Sequence, residues 1–380
     1  MSEVRPIVLA AGGTGGHVFP AQTLAAELCG RGYRLVLLAD RHRQLLDGAL
    51  GELEVHRIDG AGVSGKGYLA KAAAMLRLAR GYLQARRCLR RLDPIMVVGF
   101  GGYPSVPTVL AAQHLGLKTL IHEQNAVLGR ANRLLATRAT RVATAFESVR
   151  ELRAVDCEKT VWTGNPVRPE VIAARDQVYA PPRNDRDVNL LVVGGSQGAK
   201  YFGEIVPRAL ILLEEGLRSR LRVALQCRVE EINTAKIKLH RAKVRAEVSS
   251  FFDNIPERLG SATLVICRGG ASTVAELMAV GRPSLLVPFP HATDDHQTAN
   301  AEGLCDAGGG WIVQQNVLSP EILAERIESL LRPGPTLTVA ANCARQMGKP
   351  EATARLADLV VEELKGNGRN LIADRQEAVA

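Results

Sequence analysis

None of the seven cysteines, at 29, 88, 157, 227, 267, 305 and 343, falls in a CxxC pair or at His/Cys ligand spacing. Their scatter excludes a zinc or dithiol motif and reads as small buried apolar residues in a reducing compartment, the cytoplasm. No apolar run approaches the roughly 18 residues that span a bilayer. The short stretch IVLAA near the start has neither the basic lead nor the length of a secretion signal. No Gly-Lys-Ser/Thr follows any glycine loop, which excludes a Walker-type phosphate site. Acidic residues are absent from 66–92, KGYLAKAAAMLRLARGYLQARRCLRRL, which holds eight Lys/Arg.

What is present is a soluble globular composition, 46% apolar and 23% charged, in a 380-residue chain long enough for two domains. The net charge of +9 is one-sided. Residues 1–163 carry 22 Lys/Arg against 13 Asp/Glu, and residues 164–380 carry 26 of each. The N-terminal half should therefore face something anionic.

Two segments open alike. RPIVLAAGGTGGHVFPAQTLAAEL is an apolar strand, a glycine loop and a helix, and DVNLLVVGGSQGAKYFGEIVPRALILLEE repeats that grammar. Short apolar runs such as RLVLLAD, IMVVGFGG, KTLIHEQN, LRVALQC and RPSLLVPF alternate with helical segments. The pattern predicts an α/β protein of two doubly wound parallel-sheet domains. The joint falls near TGNPVRPEV, giving domains 1–163 and 164–340, a C-terminal helix over 341–365 and a tail over 366–380. The helical period itself is clearest over 351–364.

Glycine loops between strand and helix let backbone N–H groups approach an anion at a helix N-terminus. A dinucleotide fingerprint, G-x-G-x-x-G, is the alternative at the first loop. Gly13 and Gly15 fit it, Val18 takes the third glycine position, and Asp40 stands where a ribose-binding acid would. Three such loops occur, GGTGG, GFGGYPS and GGSQGA, and together they suggest two phosphorylated ligands. RGGASTVAE is a further strand-to-helix turn, in which Glu276 either complements the helix start or accepts from a ribose diol. Asp185-Arg186-Asp187 spells the DxD of metal-dependent glycosyltransferases but precedes its strand, and reads as solvated charge. No metal or other cofactor is expected, and no nucleic-acid partner.

GGTGGHVFPA, GGYPS, HEQNAVLGRANR, GNPVR, GGSQGA, GGASTVAE and HATDDHQTANA stand in the order found in the MurG family. These are the peripheral-membrane N-acetylglucosaminyltransferases of bacterial peptidoglycan synthesis, within glycosyltransferase family 28. The resemblance covers roughly residues 5–365. It implies the GT-B fold, two Rossmann-like domains around a cleft, with the C-terminal helix returning to the first domain. It implies UDP-GlcNAc as donor, lipid I (undecaprenyl-pyrophosphoryl-MurNAc-pentapeptide) as acceptor, and lipid II as product. It also implies a place on the cytoplasmic face of the inner membrane. A non-hydrolysing UDP-GlcNAc 2-epimerase, which shares the fold and the donor, is the alternative.

The resemblance implies attack of the MurNAc 4-hydroxyl on the anomeric carbon of GlcNAc, with inversion and departure of UDP. It places Thr14, Gly15, Gly16, Asn125, Arg168, Ser196, Phe252, Ala271, Ser272, Thr273, Val274, Ala275, Glu276 and Gln297 at the donor. Gly13, Gly101, Gly102, Tyr103 and Ser105 fall to the acceptor diphosphate. His17 is the candidate base, since an imidazole with an unperturbed pKa of about 6.5 can take a hydroxyl proton at neutral pH. Glu123 is the second candidate, and His122 reads as structural. In the basic stretch, Leu69, Ala72, Leu76, Ala79 and Leu83 follow three-four spacing. They predict an apolar stripe that meets anionic lipid.

Overall fold

The protein, seen as a computed structural model, is described over residues 5–12, 15–40, 50–60 and 68–365. Gly13, Thr14 and the tail lie outside the described residues, as do the side chains of 68–71 and 196–199. The chain divides into two units: one runs to Pro166 and resumes at Glu351, and the other is Val167–Pro350.

In the first unit the strands are β1 (Ile7–Ala10), β2 (Leu35–Ala39), β3 (Glu54–Arg57), β4 (Met96–Gly99), β5 (Thr119–Glu123), β6 (Arg141–Thr144) and β7 (Thr160–Trp162). They pair in parallel in the order β3-β2-β1-β4-β5-β6-β7. Helices cover both faces, so strand residues are apolar throughout rather than alternating. Ile7 and Leu9 enter one core with Leu24, Leu28, Leu356 and Val360, while Val8 and Ala10 enter another with Ala85, Leu89 and Val109. Each fully buried aliphatic side chain stabilises the unit by roughly 1.5–3 kcal/mol.

The C-terminal segment corrects one expectation. Residues 341–365 are not one helix: a helix over Thr336–Met347 ends, and another runs over Ala352–Lys365. Gly348 is extended there, and a Cβ on it would lie 2.4 Å from the Met278 carbonyl oxygen, so the chain passes too closely for any side chain. Pro350 follows. The first helix packs on Ala271–Val280 in the second unit. The second joins the first unit through Leu356, Ala357, Leu359 and Val360, with ion pairs Arg31–Asp358 and Arg141–Glu363, each at 2.6 Å.

In the second unit β8 (Val188–Val193), β9 (Leu221–Gln226), β10 (Arg245–Ser249), β11 (Leu264–Cys267), β12 (Ser284–Leu286) and β13 (Gly310–Ile312) pair in parallel as β10-β9-β8-β11-β12-β13. Asp187 is not merely solvated. It pairs with Arg222 at 2.9 Å and with Arg245, tying together the starts of three adjacent strands. Of the cysteines expected inside, Cys227 and Cys267 are buried, but Cys29 and Cys157 are exposed.

Among the described residues no helix is long and apolar enough to cross a membrane. The basic stretch is a helix over Tyr68–Leu92. Ala74, Ala85 and Leu89 face the core, and a Cβ on Gly81 would lie 1.9 Å from the Asp59 carbonyl oxygen. The expected stripe points the other way. Ala72, Leu76, Ala79 and Leu83 are exposed with Met75, among exposed Arg77, Arg80, Arg87, Arg90 and Arg91. Leu69 lies outside the residues whose side chains are described.

Candidate active site

Each sheet reverses its strand order beside its first strand, at β1/β4 and at β8/β11. Open parallel sheets bind ligands beyond the C-terminal strand ends at such a point. The four glycine-rich motifs of the sequence follow those four strands: GGTGG after β1, GFGGYPS after β4, GGSQGA after β8 and RGGAS after β11.

In the first unit, Gly15 and Gly16 open the helix over Gly15–Gly30, and His17 stands in its first turn. His17 Nδ1 lies 2.9 Å from Gln124 Oε1 and 3.0 Å from the Phe100 carbonyl oxygen. Both neighbours accept, so Nδ1 carries the proton and the neutral ring keeps its lone pair on Nε2. Among the described residues Nε2 has no hydrogen-bond partner. The loop after β4 passes against this ring. Gly101 and Gly102 have φ of 77° and 72°, and a Cβ on Gly102 would sit 3.2 Å from His17 Cδ2. Glycine meets both demands, the left-handed backbone and the close approach.

Tyr103 is half-buried in that loop. Ser105, expected at a diphosphate, is fully buried and donates its hydroxyl to the Gly102 carbonyl at 3.0 Å, so it shapes the loop instead. Glu123, the second candidate base, is 2% exposed. Its Oε1 accepts from Asn125 N and Asn125 Nδ2, each at 3.0 Å, and its Oε2 from Gly129 N at 2.8 Å and Asn132 Nδ2 at 2.9 Å. With its lone pairs engaged by four donors, the carboxylate orders the 125–132 loop and has nothing to offer an incoming proton. Asn125, expected at the sugar, is held in place by this carboxylate.

In the second unit, helix Ala271–Val280 starts directly after β11, and its N-cap Gly270 has extended backbone and no side chain. The N–H groups of Ala271, Ser272 and Thr273 precede the first intrahelical bond, so they can meet an anion. Ser272 Oγ is buried there with no partner among the described residues. Ala271, Val274 and Ala275 are buried and fix the helix to the sheet. Glu276 takes Arg168 Nη2 at 2.9 Å and Nε at 3.3 Å, both on Oε1. Burial pushes its carboxyl above the usual range, and the Arg168 guanidinium opposes that shift. Arg168, which the resemblance places at the donor, contacts this carboxylate. A Cβ on Gly269 would lie 2.2 Å from the Gln297 carbonyl oxygen, and Gln297 Oε1 accepts from Phe289 N at 2.9 Å. Phe252 is buried beneath the Arg258 guanidinium, 4.2 Å from the ring centroid. Ser196 lies in the first turn of the helix over Gly195–Leu212.

Three supporting residues were not singled out from the sequence. Gln124 receives His17, as above. Asn300, fully buried, donates to the Gly269 carbonyl at 3.0 Å. Arg268 donates to the Val287 carbonyl at 3.0 Å and to Gln315 at 2.8 Å, with Tyr201, Phe202 and Phe289 around its guanidinium, and burial pushes its pKa down to about 10. The signal for Gln124 was strand alternation: continuing β5 by two from His122 puts Gln124 on its face, opposite Glu123 and Asn125.

Comparison with known proteins covers both units. The glycosyltransferase family 28 N-terminal domain model matches residues 7–144, and the C-terminal domain model matches 189–356. A Rhodospirillum rubrum protein is 53% identical over 93% of this chain and 91% of its own length. One from Rhodospirillum centenum is 52% identical over 97% of both chains. Both are named UDP-N-acetylglucosamine--N-acetylmuramyl-(pentapeptide) pyrophosphoryl-undecaprenol N-acetylglucosamine transferase. Among solved structures, Acinetobacter baumannii MurG aligns with a TM-score of 0.75 at 35% identity, covering 94% of this chain and 98% of that one.

Proposed function

The chain belongs to glycosyltransferase family 28, and from that premise we propose that it transfers GlcNAc from UDP-GlcNAc to the MurNAc 4-hydroxyl of lipid I, with inversion, giving lipid II. The observation that carries the activity is the near full-length match, at 53% identity, to a relative named for this transfer. A 2-epimerase needs no such acceptor, and the relatives set that alternative aside.

The resemblance suggests the residue roles, and the contacts of each side chain support them. His17 Nε2 takes the proton of the attacking hydroxyl, because Nδ1 is already committed as a donor. Glu276 turns its Oε2 to the ribose hydroxyls of the donor, while Arg168 holds Oε1. The open N–H groups of helix Ala271–Val280, with Ser272 Oγ, take the diphosphate whose charge grows as UDP leaves. Asn125 meets the sugar, held by Glu123. Gly101 and Gly102 bring the first unit's backbone to the acceptor diphosphate beside His17. The exposed apolar stripe of helix Tyr68–Leu92, among its arginines, rests on anionic lipid at the cytoplasmic face of the membrane. Each arginine near that surface contributes about 1 kcal/mol, so the attachment is reversible.

Incubating the purified protein with labelled UDP-GlcNAc and a short-chain lipid I analogue, with chelator present, tests this reading. Label in a β-linked lipid product with release of UDP supports it. Release of UDP-ManNAc, or transfer only after magnesium or manganese is restored, overturns the corresponding part.

A further inference from the structure

The three consecutive residues His122, Glu123 and Gln124 serve opposite faces of the chain as it leaves β5. Gln124 is 1% exposed and His122 is fully buried. The two N–H groups of Gln124 Nε2 face three acceptors, His122 Nδ1, the His122 carbonyl and the Phe100 carbonyl, each at 3.0 Å, with one N–H shared between two of them. Its Oε1 accepts from His17 Nδ1 at 2.9 Å. His122 Nε2 in turn donates to the Gly164 carbonyl at 3.1 Å.

The chain of bonds has one consistent direction. The Gly164 carbonyl can only accept, so His122 carries its proton on Nε2 and leaves Nδ1 as an acceptor. Nδ1 then requires the NH₂ end of Gln124, as do the carbonyls of Phe100 and His122. That orientation aims the amide oxygen at His17 and obliges His17 Nδ1 to donate. A Gln124 turned the other way would place two N–H groups against His17 Nδ1 and oppose its amide oxygen to three acceptors.

We propose that Gln124 and His122 are positioning residues that set the tautomer of His17, so that the basic lone pair lies on Nε2; the consequence for turnover rests on the base role proposed above for His17. The burial that pushes the His122 imidazole down to about 4 keeps it neutral at physiological pH, which preserves the direction of the chain. The Phe100 carbonyl also accepts from His17, so loss of Gln124 weakens the preference without abolishing it.

Nitrogen-15 NMR of the imidazole rings in the full-length protein reads the tautomer directly, and two variants probe the relay. Gln124→Met removes the amide, and His122→Phe frees it to turn while keeping a ring beside Phe100 (centroids 5.9 Å apart in the native pair). In the native protein His17 is expected with Nδ1 protonated. In either variant that folds, the tautomer ratio should fall roughly fivefold to tenfold, the size of one net hydrogen bond, and kcat should fall in step with the fraction of His17 protonated on Nδ1. The KM for UDP-GlcNAc should stay within about twofold of native, since a uniform binding effect is not predicted. A native His17 protonated on Nε2, or a ratio and kcat unmoved in both variants, overturns the proposal. His17→Ala is the control on the base role: undiminished kcat there refutes the base while leaving the NMR result to decide the relay.

Discussion

Arg168 directs Nε and Nη2 at the same oxygen of Glu276, at 3.3 and 2.9 Å, across 108 positions of sequence. One oxygen of a partly buried carboxylate is thereby committed and the other keeps its acceptor capacity. Two substitutions separate the parts of this pair. Glu276→Gln retains shape but loses the charged acceptor, and the KM for UDP-GlcNAc should rise about 10- to 100-fold, the cost of a charge-assisted hydrogen bond. Arg168→Ala leaves the partly buried carboxylate without its partner, so both stability and donor affinity should fall. Steady-state kinetics and a double-mutant cycle check this: the two changes act through one contact, so their effects should not add. Additive effects would show that Arg168 acts elsewhere.

Glu123→Gln provides the contrast. An amide there keeps one acceptor oxygen but turns an N–H₂ group toward N–H donors that now face a carboxylate. The first unit should lose about 2–4 kcal/mol of stability. Thermal unfolding measures it. Loss of kcat by several orders of magnitude at unchanged melting temperature would restore Glu123 as the base.

His122 gives stability a pH dependence of known sign. Its imidazole is held down to about 4, against 6.5 for the free ring. Between those values the unfolded chain binds more protons than the native one. The contribution is therefore complete above about pH 6.5 and is lost as the pH falls toward 4, by up to roughly 3 kcal/mol. Urea unfolding at about pH 7 and pH 5 should show a smaller difference in His122→Phe than in the native protein. An equal pH dependence in the two would contradict the assignment.

The stripe on helix Tyr68–Leu92 predicts lipid binding that depends on apolar side chains as well as charge. Met75 and Leu76 are 58% and 73% exposed. Met75→Glu with Leu76→Glu should weaken binding to anionic vesicles by tenfold or more, through lost apolar burial and repulsion. Native binding should weaken with added salt. Co-sedimentation measures both, and binding insensitive to the double substitution would place the membrane contact elsewhere.

Much of this was readable from the chain alone. Parallel strands buried on both faces are written as continuous apolar runs, so IVLA, LVLLA and MVVG announced the first sheet, and LLVV and LVIC the second. Glycine loops were legible at strand ends, and the strand order shows that they flank both switch points. What the sequence hid was the direction of single side chains. Ser105 turns inward to Gly102, Arg168 turns to Glu276, and Glu123 is saturated by donors from 125–132, contacts fixed by tertiary packing. The break at Gly348 was hidden for the same reason, because the obstacle is the Met278 carbonyl, distant in sequence.

The base role of His17 is tested most directly by single-turnover transfer in His17→Ala, set beside calorimetric binding of UDP-GlcNAc. Removing a general base should slow transfer by about 10²- to 10⁴-fold while the donor dissociation constant stays within about twofold of native, because the proposed role requires no contact with the donor. A transfer rate equal to that of the native protein would contradict the role of His17, and a parallel loss of donor affinity would make it a donor-binding residue instead.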